Sequence, residues 1–350
     1  MEPLDLDLLN PSVAPDPTNP SERVYAQEMG YPKTAAQVAV NHVSAMAGHE
    51  YDAKRNCLIV DPGSSLQSVL RTFLRPTDQV ILTDPTSRSL IHSVQAVGAR
   101  PILAPLIFRP GQTWAVNYRA FADCITDNTK AMLLQSPCMP SGALFSHQDW
   151  AFIGRLCVES NLLLIFETSF DTVIYNFDRS MWSHPASFPG MEERTLVIGS
   201  GSGFLDKKLQ SFEYVVGPEG LVSNIRSVVL SKPDRFTYCE VASFRLSKGD
   251  LIETARKRRD MVLYVLRGLP IGIPAGGWSL LLRVSDFGLT AREATGRLAE
   301  QGIKVRPMDE CGDVHGMYFV RLVFAHQRVE QLATLRSRVE NALTMYEETT

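Results

Sequence analysis

A carboxylate at the end of a long apolar run is the first residue here with the means to do chemistry. Glu167 follows Leu162-Leu163-Leu164-Ile165-Phe166, which has no polar alternation and so predicts a strand buried on both faces, as parallel sheets require. In open α/β sheets ligands collect at the carboxyl ends of the strands, and Glu167 stands at such an end. Two turns of small residues also follow short apolar runs. Residues 57–60 empty into Asp61-Pro62-Gly63-Ser64-Ser65 ahead of a helical pattern, and residues 196–198 empty into Gly199-Ser200-Gly201-Ser202-Gly203. Exposed amides in such turns, with a helix N-terminus behind the first of them, can seat a phosphate or a carboxylate. A plain N-cap at Ser64 and a tight connection at 199–203 are the alternative readings. The strand ends at Ser136, Glu167 and Gly199 are expected to converge.

Those residues need a scaffold, and the pattern supplies strands alternating with helices. Strands are predicted at 57–60, 79–82, 101–103, 132–134, 162–166, 196–198 and 212–216, with helices from Leu66, from about Arg88, and over 148–160. An amphipathic helix at 34–47 stops at Gly48, and residues 1–22 read as an extended arm rich in Pro, Asp and Asn. Further on, helices are expected at 220–247, 251–266, 290–301 and 330–346, with strands at 278–284 and 303–305. The basic stretch at 256–259 reads as a solvated helix face. The fold class is therefore α/β: a mostly parallel sheet flanked by helices, with a smaller α+β C-terminal domain. The expected division is 1–45 as an arm and helix joining the small domain, 46–235 as the large domain, and 236–350 as the small one.

Composition narrows the function classes. The chain has 350 residues, 45% of them apolar, and a formal charge of −3, enough for a large core and about two lobes. Scattered Lys and Arg give no basic patch for nucleic acid. No apolar run is long enough to span a membrane, and the first residues lack a basic-then-apolar leader, so a cytoplasmic location is expected. Six dispersed cysteines without a CxxC pair, and seven dispersed histidines, predict neither a disulfide framework nor a metal site.

Over nearly its whole length the order of these segments resembles the class I/II aminotransferases of the fold-type I pyridoxal-phosphate superfamily. Gly63-Ser64-Ser65 matches the family's turn that cups the cofactor phosphate. Ser136-Pro137-Cys138-Met139-Pro140-Ser141-Gly142 lines up with Asn-Pro-x-Asn-Pro-Thr-Gly, keeping both prolines and the glycine. Glu167-Thr168-Ser169-Phe170 falls on Asp-Glu-x-Tyr, with Tyr175 in the continuation. Ser200-Gly201-Ser202-Gly203 falls on Ser-x-Ser-Lys, and Ser211, Glu213 and Tyr214 fall on the following Arg and Gly-Tyr. Tyr318-Phe319-Val320-Arg321-Leu322 resembles the strand whose arginine grips the substrate carboxylate, so the resemblance gives Arg321 that role. It also implies a homodimer in which both subunits contribute to each pocket.

The departures from the family pattern fall on the chemistry. The gapless alignment puts Gly203 where the Schiff-base lysine belongs, and glycine offers neither nucleophile nor proton-shuttling amine. Met139 stands for an asparagine that would donate to the cofactor's phenolic oxygen, Ser87 for a tyrosine, and Ser211 for the arginine that would pair with the phosphate. The carboxylate for the pyridine nitrogen persists in kind as Glu167. This pattern argues against pyridoxal phosphate bound as a conventional aldimine and leaves pyridoxal or pyridoxamine phosphate open as cofactors. Lys207 and Lys208 are candidates for a displaced amine, or else a solvated pair. The expected pocket is Ser64, Ser65, Met139, Glu167, Ser200, Ser202 and Gly203, with Arg321 for a small carboxylate or amino-acid-like ligand. Three functions follow: a divergent biosynthetic enzyme without lysine-bound cofactor, a transaminase with a displaced lysine or free pyridoxamine cofactor, and a silent ligand-binding or regulatory relative.

Overall fold

The computed structural model describes residues 4–7, 34–168, 173–175, 183–200, 212–229 and 247–344. In chain order the elements are β1 (Leu4–Asp5), α1 (Ala35–Ala47), β2 (Cys57–Val60), α2 (Ser65–Phe73), β3 (Gln79–Asp84), α3 (Arg88–Gln95), β4 (Arg100–Pro105) and α4 (Tyr118–Asp123). There follow β5 (Thr129–Gln135), α5 (His147–Glu159), β6 (Leu163–Glu167), β7 (Thr195–Ser200), β8 (Glu213–Val216), α6 (Glu219–Val228) and α7 (Ser247–Val265). The last are β9 (Ser279–Arg283), α8 (Ala291–Glu300), β10 (Ile303–Lys304), β11 (Arg306–Pro307), β12 (Phe319–Val323), α9 (Val329–Leu332) and α10 (Leu335–Leu343).

Seven strands form one sheet in the order β2-β8-β7-β6-β5-β3-β4. Only β8 runs against the rest, pairing antiparallel with both β2 and β7. Alternate residues of each central strand enter cores on opposite faces. Met132, Leu134, Leu164, Phe166 and Val197 pack on one side with α1, α4 and α5. Leu133, Ile165, Leu196, Ile198 and Val215 pack on the other with α2, α3 and α6. Burial on both faces explains why these strands read as unbroken apolar runs. Helix ends obey local chemistry: Ser146 and Asp149 close a reciprocal capping box on α5, Thr290 and Glu293 another on α8, and Gly48 ends α1 at φ 64°.

A second core gathers β9, β12, α7, α8 and α10 around Leu280, Leu282, Val320, Leu322 and Phe324. The three-stranded sheet β11-β12-β9 lies within it, which gives the smaller α+β part. The described residues among the first 45 contribute to both cores. Leu4 and Leu6 join the second core through β1, which pairs parallel with β10, whereas α1 buries Ala39, Val40 and Val43 in the first. The expected single helix at 330–346 is two helices, broken between Leu332 and Leu335. Of the predicted helix 220–247, the described part is α6; residues 230–246 lie outside the described residues. No helix among the described residues is long and apolar enough to cross a membrane.

Candidate functional site

The carboxyl ends of the central strands do meet. Gln135 at the end of β5 is in register with Glu167 at the end of β6, and Glu167 is in register with Ile198 on β7. Two residues further along β7, Ser200 faces Glu213, the first residue of the reversed strand β8. Glu213 also faces Val60 on its other flank, where β2 ends and the turn to α2 begins. Glu167, Ser200, Glu213 and the Gly63-Ser64-Ser65 turn therefore share one edge of the sheet.

Each predicted side chain has a specific setting at that edge. Ser64 is the N-cap residue of α2, but its hydroxyl donates backward to the Asp61 carbonyl at 2.5 Å instead of capping the helix. Ser65 is buried, and its hydroxyl donates to the Glu213 carboxylate at 2.6 Å. Both Glu213 oxygens are used: one accepts from the Gly63 amide at 2.7 Å and the other from the Ser65 amide at 3.0 Å. Glu167 accepts a hydrogen bond from the Gln135 side-chain amide, whose oxygen in turn accepts from the Met139 backbone at 3.3 Å. Met139 is buried, and its sulfur packs so closely on Gly277 that a Cβ there would lie 2.7 Å away. Beside Ser200, Gly199 has no room for a side chain, because a Cβ would come within 2.7 Å of the Thr168 hydroxyl. Ser202, Gly203, Lys207, Lys208 and Ser211 lie outside the described residues.

Two further residues named from the motifs have settings of their own. Tyr175 sits in the second core, not at the strand ends: its hydroxyl donates to the Gly277 carbonyl, and the Arg259 guanidinium lies 4.5 Å over its ring. Ser87 precedes α3 and shares a 2.7 Å hydrogen bond with the Ser89 hydroxyl.

Arg321 is buried on β12, opposite Arg306 on β11 and Leu281 on β9. Burial pulls its pKa down to about 10, and the like charge of Arg306 adds to the effect; the Cys311 thiol and Asp7 oppose it only in part. Arg306 is itself engaged by Asp7 at 2.6 Å. A guanidinium so placed gains from any anion delivered to it. The second sheet is tied to the strand edge by Asp84 at the end of β3. This fully buried carboxylate accepts from the backbone amides of Val314 at 2.7 Å and His315 at 3.3 Å. Burial nevertheless raises its pKa above the usual carboxylate range.

Gln135 and Asp84 did not stand out in the sequence. The available signal was position: each is the last residue of a strand that follows an apolar run. Among the described residues no cluster of His, Cys, Asp and Glu could hold a metal ion, and all five described cysteines are unbridged.

The sequence matches the family described as aminotransferase class I and II over residues 20–203, and the chain belongs to that family. It is 27% identical over 293 residues to an arginine–pyruvate transaminase of Pseudomonas aeruginosa, covering 80% of this chain and 73% of that protein. It is 25% identical over 290 residues to human kynurenine–oxoglutarate transaminase 1, covering 75% and 68%. Among solved structures, N-succinyldiaminopimelate aminotransferase from Mycobacterium tuberculosis superposes with a TM-score of 0.77 at 22% identity, covering 97% of this chain and 93% of that one. An aromatic aminotransferase from Pyrococcus horikoshii gives 0.76 at 22%, covering 97% and 95%. The fold is thus the fold-type I aminotransferase fold.

The family implies pyridoxal phosphate, whose phosphate would have to enter the turn at Gly63 to Ser65. The described residues do not fit it. The amides and hydroxyl that would receive an anionic phosphate are already donating to the Glu213 carboxylate, and a second anion there meets like charge instead of free donors.

Proposed function

We propose that this family member is a divergent biosynthetic enzyme that acts on an amino-acid-like or other carboxylate metabolite without a lysine-bound cofactor. The observation that carries the reading is Arg321, a guanidinium buried on β12 in surroundings that disfavour its charge. A substrate carboxylate forked onto it would offset the cost of burying that charge and fix the substrate's orientation. Glu167, positioned by Gln135, supplies a carboxylate acceptor at the strand edge, and Ser200 a hydroxyl beside it. Gly203 at the family's lysine position supports the absence of a covalent tether.

The test is calorimetric binding of a panel of 2-amino and 2-oxo acids to the wild type and to Arg321→Ala. Removing one side of a buried charge pair should weaken the best ligand at least about thirtyfold, with partial recovery in Arg321→Lys. Equal binding by wild type and Arg321→Ala would sink the proposal.

The transaminase names of the relatives favour a second reading, a pyridoxal or pyridoxamine phosphate enzyme whose amine comes from Lys207 or Lys208. Borohydride reduction followed by peptide mass analysis decides between them: a pyridoxyl group fixed on either lysine establishes the second reading. A silent ligand-binding relative would bind the same acids without turning them over. The proposal includes a homodimer, in keeping with the family, and a reducing cytoplasmic location, which suits the unbridged cysteines. Light scattering of the purified chain tests the dimer.

A further inference from the structure

We infer that this chain has exchanged a cofactor's phosphate for a carboxylate of its own, Glu213, so that the pocket's ligand enters without a phosphate group. The seat is built from three donors that converge on one side chain. The Gly63 amide takes one oxygen at 2.7 Å, and the Ser65 amide and hydroxyl take the other at 3.0 and 2.6 Å. All three donors belong to the turn and first residue at the N-terminus of α2, where an anion is stabilised by unsatisfied amides and the helix dipole.

Glu213 is not a surface side chain that happens to fold over. Its backbone is fixed between Val60 of β2 and Ser200 of β7, so its Cα stands at the seat by strand register. The carboxylate is therefore delivered by the sheet itself. In the sequence alignment this position corresponds to the glycine of the family's Gly-Tyr pair, and Ser211 corresponds to the arginine expected to pair with the phosphate. Positive charge has gone from one contact and negative charge has arrived at another. Each change opposes phosphate, and together they leave the seat satisfied from within.

This inference does not depend on what the pocket binds. Its test uses the full chain, wild type and Glu213→Gly, titrated by calorimetry with pyridoxamine 5′-phosphate and with pyridoxamine, which differ only in the phosphate. Thermal melts with and without inorganic phosphate accompany the titrations. The wild type should show equal or undetectable binding of the two and a melting temperature indifferent to phosphate. Glu213→Gly should prefer the phosphorylated compound at least about tenfold and gain stability from phosphate. Glu213→Ala, which keeps more strand propensity, gives the same answer if the glycine variant does not fold. A wild type that itself prefers the phosphorylated compound tenfold or more overturns the inference. So does a folded Glu213→Gly or Glu213→Ala that acquires no preference. Neither arm involves Arg321 or an acid ligand, so failure here is separable from failure of the proposed function.

Discussion

Gly142→Ala should cost this protein about 3–5 kcal/mol of unfolding free energy, the sum of a backbone penalty and a clash with rigid neighbours. Gly142 closes the turn at 136–142 with φ 70°, in the left-handed region that side chains resist. Its carbonyl accepts from the amides of Ala275 at 2.9 Å and Gly276 at 3.2 Å, which holds the chain of the second core against the turn. A Cβ on residue 142 would lie 2.8 Å from Pro274 Cα and 2.7 Å from the Gly276 carbonyl oxygen. Backbone and a proline ring surround it, so no rotamer change relieves the contact. Gly111 is the control, with φ 71° but nothing within 4 Å of where a Cβ would stand, so Gly111→Ala should cost only about 1 kcal/mol. Urea unfolding of both variants checks the difference. Equal losses would mean that the turn relaxes and that its packing on Pro274 is incidental.

Acid should destabilise the protein through His184. Its ring is fully buried, and burial, reinforced by His42, pushes its pKa down to about 3. The Nδ1 atom accepts a hydrogen bond from the Ala186 amide at 3.2 Å, which a protonated ring could not do, and Phe166 meets the ring edge-on at 5.2 Å. The unfolded chain takes up a proton as pH falls through the ordinary histidine value, about 6.5, while the folded chain refuses it until about 3. Stability is therefore complete above that ordinary value. It falls by about 1.4 kcal/mol per pH unit below it, on the order of 3 kcal/mol by pH 4. His184→Asn keeps an acceptor for the Ala186 amide but cannot titrate. It should be less stable than wild type near neutrality, and the gap should narrow as pH falls from about 6.5 to about 4. Parallel curves for the two proteins would refute the assignment.

The large sheet was legible because its strands are buried on both faces, which makes residues such as Leu164, Ile165 and Phe166 short unbroken apolar runs between turns. The convergence of Glu167 with the neighbouring strand ends followed from the same fact. The setting of Glu213 was not legible, since its donors at Gly63 and Ser65 are remote in sequence and become neighbours only through the reversal of β8. The place of Tyr175 was not legible either, since its backbone bonds to the remote Ala275 and the ring enters the second core. The break before α10 left no glycine or proline in the sequence to announce it.

The pairing of β1 with β10 bears on how the molecule is made. Leu4 and Leu6 leave the ribosome long before the Gly302 and Lys304 carbonyls that receive their amides and the Val323 amide that donates to Leu6. At translation speeds of roughly 5–20 residues per second, the opening segment stays without its mates for about 15 seconds to a minute. The second core is thus completed only once β10 and β12 have emerged, by a loop closure of long span. Bulk placed directly ahead of Leu4 would accordingly disturb the second core rather than the first.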